Sequence, residues 1–120
     1  RKFLSLTAAA AGAVALPPQS RAASARVVVL GGGFGGASVA RYLRMWNPGV
    51  AVTLVEPNAT HVSCILSNLV VTGLLGMNRI NLSYTALRNN RGVQVVQGRA
   101  LGIDTGGNRV TVSTANGNVT

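Results

Sequence analysis

A chain of 120 residues has room for one small domain, and its 48% hydrophobic content lies in short runs of Val, Leu, Ala and Ile with only 4% aromatics. That composition suits a buried element of a larger α/β protein. The formal charge of +9 invites a nucleic-acid partner, but beyond residue 25 the eight arginines, at 26, 41, 44, 79, 88, 91, 99 and 109, form no basic run and have almost no aromatic platform between them, which argues against one.

Residues 1–25, RKFLSLTAAAAGAVALPPQSRAASA, have the marks of an export signal: a basic start, a small-residue apolar stretch from Phe3 to Leu16, Pro17-Pro18, and Ala23-Ser24-Ala25 before Arg26. The apolar stretch is too short for a membrane span, which needs about 20 apolar residues. Arg1-Lys2-Phe3-Leu4 resembles the tail of a twin-arginine signal with its first arginine missing. Export to the periplasm by that route is the expectation, and residues 26–120 are left to fold.

From Arg26 the pattern changes. Val27 to Leu30 reads as a buried parallel strand, followed by a six-residue glycine-rich turn and a helix from about Gly35 to Met45. Val39, Tyr42 and Leu43 share one helical face, with Arg41 and Arg44 pointing outward, and Tyr42 and Trp46, four apart, read as core. Asn47-Pro48-Gly49 stops the helix. Residues 51–55, AVTLV, form a second buried strand ending at Glu56 and Pro57, which completes a strand-helix-strand unit. Asn58 to Gly76 is less regular, with a short helix and turn in SNLVVTGLLG. Asn81 to Asn89 is expected to be helical, Leu82 and Ala86 sharing a face, with Arg91-Gly92 as its end. GVQVVQGRALGID reads as one strand running past Gly98, TGGN as a turn, RVTVST as a strand, and Asn116-Gly117 as a hairpin signal. The expected fold is therefore α/β: a Rossmann-like βαβ unit in a parallel sheet, with a small antiparallel meander. Val119 and Thr120 read as the start of a further strand, so the domain is expected to be incomplete at the carboxy terminus.

The glycine loop carries the chemistry. Gly31, Gly33 and Gly36 have dinucleotide-binding spacing, a weak signal alone in a chain with 15 glycines. The context sharpens it: the loop leaves a Val-rich strand, opens a helix, and is followed 25 residues after Gly31 by an acid at the end of the next strand. Gly31 takes the tight turn, Gly33 lets a pyrophosphate approach the backbone, and Gly36 permits close helix–strand contact. The N–H groups opening the helix, around Phe34 and Gly35, bond phosphate oxygens. Glu56 accepts from the adenosine ribose and disfavours a 2′-phosphate. The unit accommodates NAD or FAD.

Cys64, the one cysteine, lies eight residues beyond Glu56, a span of about 26 Å when extended. It can therefore meet the far end of an extended cofactor, or be a buried inert thiol, or a resolving or metal-binding one. Ser67 and Asn68 suit either a cofactor contact or a helix cap. His61 has no second histidine or spaced cysteines for a metal site, so packing or surface exposure is expected.

The stretch VVVLGGGFGGASVARYLRMWNPGVAVTLVEPNATHVSCILSNLVVTG resembles the amino-terminal FAD-binding segment of the flavoprotein subunit of flavocytochrome c sulfide dehydrogenase, a family that belongs with sulfide:quinone reductases and glutathione-reductase-like flavoproteins. The glycine loop, VEPN and SCILSN are its most specific parts. The resemblance implies FAD held by the loop (Gly31, Gly33, Phe34, Gly35, Gly36), by Glu56 with Pro57 and Asn58, and by a thioether from Cys64 to the flavin 8α-methyl carbon. It also implies Ser67 and Asn68 near the flavin and a backbone contact from Ala100 to the adenine. The implied activity is sulfide oxidation at the flavin with electrons passed singly to haem in a cytochrome c subunit. The family's redox cysteine pair and a haem-binding C-x-x-C-H are absent from this sequence, so no catalytic residue is assigned here and the cytochrome would be a separate chain. The alternatives are a quinone- or NAD-linked flavoprotein of the same fold, or an exported nucleotide-binding module without catalysis.

Overall fold

The computed structural model describes residues 25–120, so the expected signal lies outside the described residues except for Ala25, which opens the first strand. In chain order the elements are β1 (Ala25–Leu30), α1 (Phe34–Trp46), β2 (Val50–Glu56), β3 (Thr60–Val62), α2 (Ser67–Val71), a 3-10 turn (Met77–Arg79), β4 (Asn81–Ser83), α3 (Thr85–Arg91), β5 (Gln94–Gln97), β6 (Arg99–Asp104), β7 (Arg109–Thr114) and β8 (Gly117–Val119).

β2 is the centre of a parallel sheet ordered β1-β2-β5, Ala25 pairing with Val50 and Glu56 with Gln97. Flanked on both edges, β2 is also its most buried strand, and Val52, Leu54 and Val55 are nearly inaccessible. Val50, Val52 and Leu54 bury one face of the strand, and Ala51 and Thr53 on the other are partly covered. Val29, Ala40, Val50, Val52, Leu54, Tyr84 and Val93 form the core, with Val27, Leu43, Leu87 and Val95 packed at its margin.

Helix α1 lies on this sheet differently from the expectation. Its contact is Ala40, fully buried, with Leu43 beside it, while Val39, Tyr42 and Trp46 are exposed. A small residue at the contact lets the helix backbone approach the strands closely, and the larger side chains one step round the helix are left outside. Tyr42 and Trp46 stack on one another, ring centroids 5.1 Å apart, and Arg41 lies over the Tyr42 ring.

Arg44 is turned inward rather than outward. Its guanidinium donates to the carbonyls of Arg91 at 2.8 Å, Pro48 at 2.6 Å and Val50 at 2.6 Å, joining the ends of α1 and α3 to the start of β2. Helix α3 stops at Gly92, whose φ of +62° is favourable only without a side chain, and the N–H groups of Gly92 and Val93 close on Arg88 and Leu87.

Two further expectations are corrected. Asn81–Ser83 is a strand, pairing antiparallel with Thr60–Val62, and the helix begins only at Thr85, so Leu82 and Ala86 share no helical face. The three-residue strands are too short to show periodicity, and tertiary pairing decides them. GVQVVQGRALGID is two strands in two sheets. Gly98 is the corner: its N–H donates to the Glu56 carbonyl at 3.0 Å, and a Cβ there would meet Ser113 O at 2.6 Å. The meander β6-β7-β8 is antiparallel as expected, with a register shift between Ala100 and Gly102 and a tight turn into Gly117.

Charge-assisted bonds from one guanidinium to three carbonyls make Arg44 a structural residue. Arg44→Met, which keeps the aliphatic stem, is expected to lower stability by about 2 kcal/mol, seen as an earlier urea midpoint with unchanged slope.

Candidate functional site

The carboxyl ends of β1 and β2 lie side by side, since Leu30 pairs with Val55, and the loop from Gly31 to Gly33 fills the space between them. Gly31 adopts φ +94° and donates its N–H to the Val55 carbonyl at 2.8 Å. This is the tight turn out of the strand, and it needs glycine. Gly36 is glycine for another reason: a Cβ would overlap the Gly31 carbonyl oxygen and press on Val29. The first turn of α1 thus rests directly on the loop that precedes it. Gly35 and Gly33 have open space instead, with only the His61 ring, 4.0 Å away, near a Cβ at Gly33.

Glu56 holds the loop from the β2 side. Its Oε2 accepts the Gly32 N–H at 2.7 Å, and its Oε1 accepts both the backbone N–H of Asn58 at 3.0 Å and its side-chain amide at 2.8 Å. Burial pushes the Glu56 carboxyl pKa up, but the bonds from Gly32 and Asn58 and the nearby His61 outweigh this, leaving it below the ordinary glutamate value. From the other side Tyr84 O–H donates to the Gly32 carbonyl at 2.8 Å, across 52 positions of sequence.

Among the described residues, the N–H groups of Gly33, Phe34, Gly35 and Gly36 have no protein acceptor, and they open a 13-residue helix. Unpaired helix-opening N–H groups with the helix dipole behind them make an anion site. A cleft of about 210 Å³ borders this point, its walls including Gly33, Phe34, Arg41, His61 and Tyr84. A second, of about 370 Å³, lies past the Glu56 end of β2 between Pro57, Gln97, Gly98, Arg99 and Ser113. The donor set, the side-chain-free approach at Gly33 and Gly35, and the acid at the end of β2 fit a dinucleotide pyrophosphate and ribose.

The structure brings Gly31, Gly33, Phe34, Gly35, Gly36, Glu56 and Asn58 together, with Pro57 beside them on the second cleft. Ala100 is exposed on β6 one residue past that cleft, where Gly98 and Arg99 form the wall. Ser67 and Asn68 open α2 and line neither cleft, and neither caps the helix: Leu66, in a left-handed conformation, occupies the cap position with no side-chain bond. Cys64 is exposed among the described residues, and it lines neither cleft. Tyr84 and His61 were not expected at the loop. The β3–β4 pairing brings them there, and no local sequence signal announces a contact 52 residues away.

A family model for pyridine nucleotide-disulphide oxidoreductases matches residues 25–120. The chain belongs to the pyridine nucleotide-disulphide oxidoreductase family. It is 62% identical over 45 residues to the sulfide dehydrogenase (flavocytochrome c) flavoprotein chain of Chlorobaculum thiosulfatiphilum, a match covering 38% of this chain and 94% of that one. Its structure is similar to sulfide:quinone oxidoreductase from Aquifex aeolicus, with TM-score 0.67 and 26% identity over 80% of this chain and 22% of that one. A NAD-dependent persulfide reductase from A. fulgidus shares the fold, with TM-score 0.67 and 23% identity over 78% of this chain and 19% of that one. The chain thus spans about a fifth of the length of these two solved oxidoreductases. Site and likenesses together support an FAD-binding oxidoreductase domain of this family, related to sulfur-compound-oxidising flavoenzymes.

Two measurements check the site. Gly36→Ala is expected to remove FAD binding and to cost about 3 kcal/mol or more of stability, because backbone cannot yield to the new methyl as a flexible side chain would; calorimetry and flavin titration read both. For Glu56, the lowered folded-state pKa means that the unfolded chain takes up its proton first as pH falls. The carboxylate's stabilisation is therefore fully present above the unfolded-state pKa and is lost as pH drops through the lower folded-state value. The Tm gap between wild type and Glu56→Gln is expected to close over that acid range.

Proposed function

We propose that this chain forms the amino-terminal FAD-binding portion of an exported flavoprotein that oxidises sulfide and passes the electrons to a cytochrome c subunit. The observation that carries this reading is the 62% identity to a flavocytochrome c sulfide dehydrogenase flavoprotein chain, in a chain whose glycine loop and Glu56 are shaped for a dinucleotide.

In this reading the N–H groups of Gly33, Phe34, Gly35 and Gly36 hold the pyrophosphate. Glu56 holds the adenosine ribose through Oε2, because Oε1 already accepts two bonds from Asn58. Pro57 and the Gly98 corner with Arg99 and Ala100 flank the adenosine. When bound, the flavin supplies the redox chemistry, taking two electrons from a sulfur nucleophile and releasing them one at a time.

Cys64 would hold the flavin by a thioether to its 8α carbon, the thiol S–H and one methyl C–H giving up their protons and the released electron pair passing to the oxidised flavin ring. The exposure of Cys64 supports this, as do its position three residues beyond His61 of the first cleft and the half-exposed apolar residues Val62, Ile65 and Leu66 next to it in sequence. Ser67 and Asn68 follow on the flavin side. The features of residues 1–25 support twin-arginine export to the periplasm. Among the described residues no helix is long and apolar enough to cross a membrane, and no group of three or more His, Cys, Asp or Glu side chains could hold a metal ion. The likeness to the Aquifex enzyme favours a second reading, in which quinone rather than cytochrome c is the acceptor.

The test is made on the full-length protein. Flavin is expected to remain with acid-precipitated protein and to map to a peptide containing Cys64, while Cys64→Ala releases it in acid yet still binds FAD. Sulfide is expected to drive reduction of cytochrome c faster than of a soluble quinone. The reverse order of acceptors selects the second reading, and a colourless protein that refuses added FAD sinks both.

A further inference from the structure

We propose that Tyr84 is a positioning residue for pyrophosphate: its hydroxyl sets the plane of the Gly32–Gly33 peptide and so aims the Gly33 N–H. The inference rests on the dinucleotide reading of the loop and adds a residue to it. Tyr84 is buried at 6% exposure, and its O–H donates to the Gly32 carbonyl at 2.8 Å. That carbonyl belongs to the same planar trans peptide as the Gly33 N–H, and in a trans peptide the two point in opposite directions. Fixing one fixes the other. Among the described residues the Gly33 N–H has no acceptor in the protein, and beside it only the His61 ring approaches the space that a Cβ would take.

The peptide needs an outside restraint because glycines flank it on both sides. Residues 31 to 33 are all glycine, and a Gly–Gly peptide rotates between orientations with little steric penalty. Glu56 restrains the preceding peptide through the Gly32 N–H at 2.7 Å and leaves the next one free. Tyr84 supplies the missing restraint, and its ring packs against Gly32 so closely that a Cβ there would overlap the hydroxyl. Desolvation and the Glu56 charge raise the Tyr84 pKa, so the hydroxyl keeps its proton and remains a donor at neutral pH.

The experiment compares ADP with adenosine as probes of the deflavinated full-length protein carrying Cys64→Ala, with and without Tyr84→Phe. The phenyl ring keeps the packing and loses only the hydroxyl. Expected is a roughly tenfold weaker Kd for ADP and for FAD, an unchanged Kd for adenosine, and a Tm within about 2 °C of the parent. Equal loss of ADP and adenosine binding with a falling Tm makes Tyr84 a packing residue and overturns the proposal, as does an unchanged ADP affinity or a Tyr84→Phe chain that does not fold. Failure of the parent to bind ADP or FAD at all refutes the dinucleotide reading itself. A fluorinated tyrosine at position 84, which ionises in milder alkali, gives the second readout. ADP affinity is expected to fall as that hydroxyl loses its proton, in a range where the parent is flat, and no such fall overturns the assignment.

Discussion

The hydrogen bond from Gly32 N–H to the Glu56 carboxylate is the constraint on which the site depends. It ties a loop leaving β1 to the last residue of β2, and so fixes where α1 begins relative to the sheet. Its strength has to be weighed against the loop it orders. Fixing one residue's backbone costs about 1–2 kcal/mol, and glycine loses more freedom than any other residue, whereas a hydrogen bond to a charged group returns roughly 1.5–3 kcal/mol. One such bond cannot order three consecutive glycines. Gly31 bonded to Val55, Gly32 bonded to Glu56 and Tyr84, and Gly36 seated against Gly31 together do so.

Sheet order explains why these groups meet. Because β1, β2 and β5 run parallel, their carboxyl ends lie at one edge, and whatever follows each strand gathers there. After β1 comes the glycine loop, after β2 comes Pro57-Asn58, and after β5 comes the Gly98 corner bonded back to Glu56. Ligands of open parallel sheets bind at this edge for the same reason. One cleft lies on the α1 side of this edge, beside Gly32 and Gly33, and the other on the meander side, beside Pro57 and Gly98.

What could be read from the sequence was what is local. The strands around Val29 and Leu54, the helix between the glycine loop and Asn47, the Gly92 stop and the Asn116-Gly117 turn each carry their signal within a few residues. The glycine spacing and the acid at the end of β2 form a pattern of fixed length, legible for the same reason. What escaped was set by tertiary contact. Ala40 rather than Val39 faces the sheet because close approach favours the smaller side chain, and Arg44 turns inward because three carbonyls gathered at the ends of α1, α3 and β2 accept from its guanidinium. Tyr84 and His61 reach the loop through a pairing of two three-residue strands that no periodicity could reveal.

The surroundings of Cys64 show the same division between a fixed backbone and a free side chain. Ser63 just before it is buried, its N–H bonded to the Ile80 carbonyl at 2.8 Å and its hydroxyl accepting the Ile65 N–H at 3.1 Å. Two residues later Leu66 takes a φ of +66°, uncommon for a residue with a side chain and maintained only where neighbours over-determine it. Held at both ends, the Cys64 backbone has little freedom, yet its side chain is exposed among apolar neighbours. A thiol held on an ordered turn loses less entropy on bonding to a cofactor than one on a loose loop. The glycine loop and the cysteine turn are therefore two versions of one arrangement, in which tertiary bonds order the backbone while the N–H groups of Gly33 to Gly36 stay unpaired and the Cys64 side chain stays exposed.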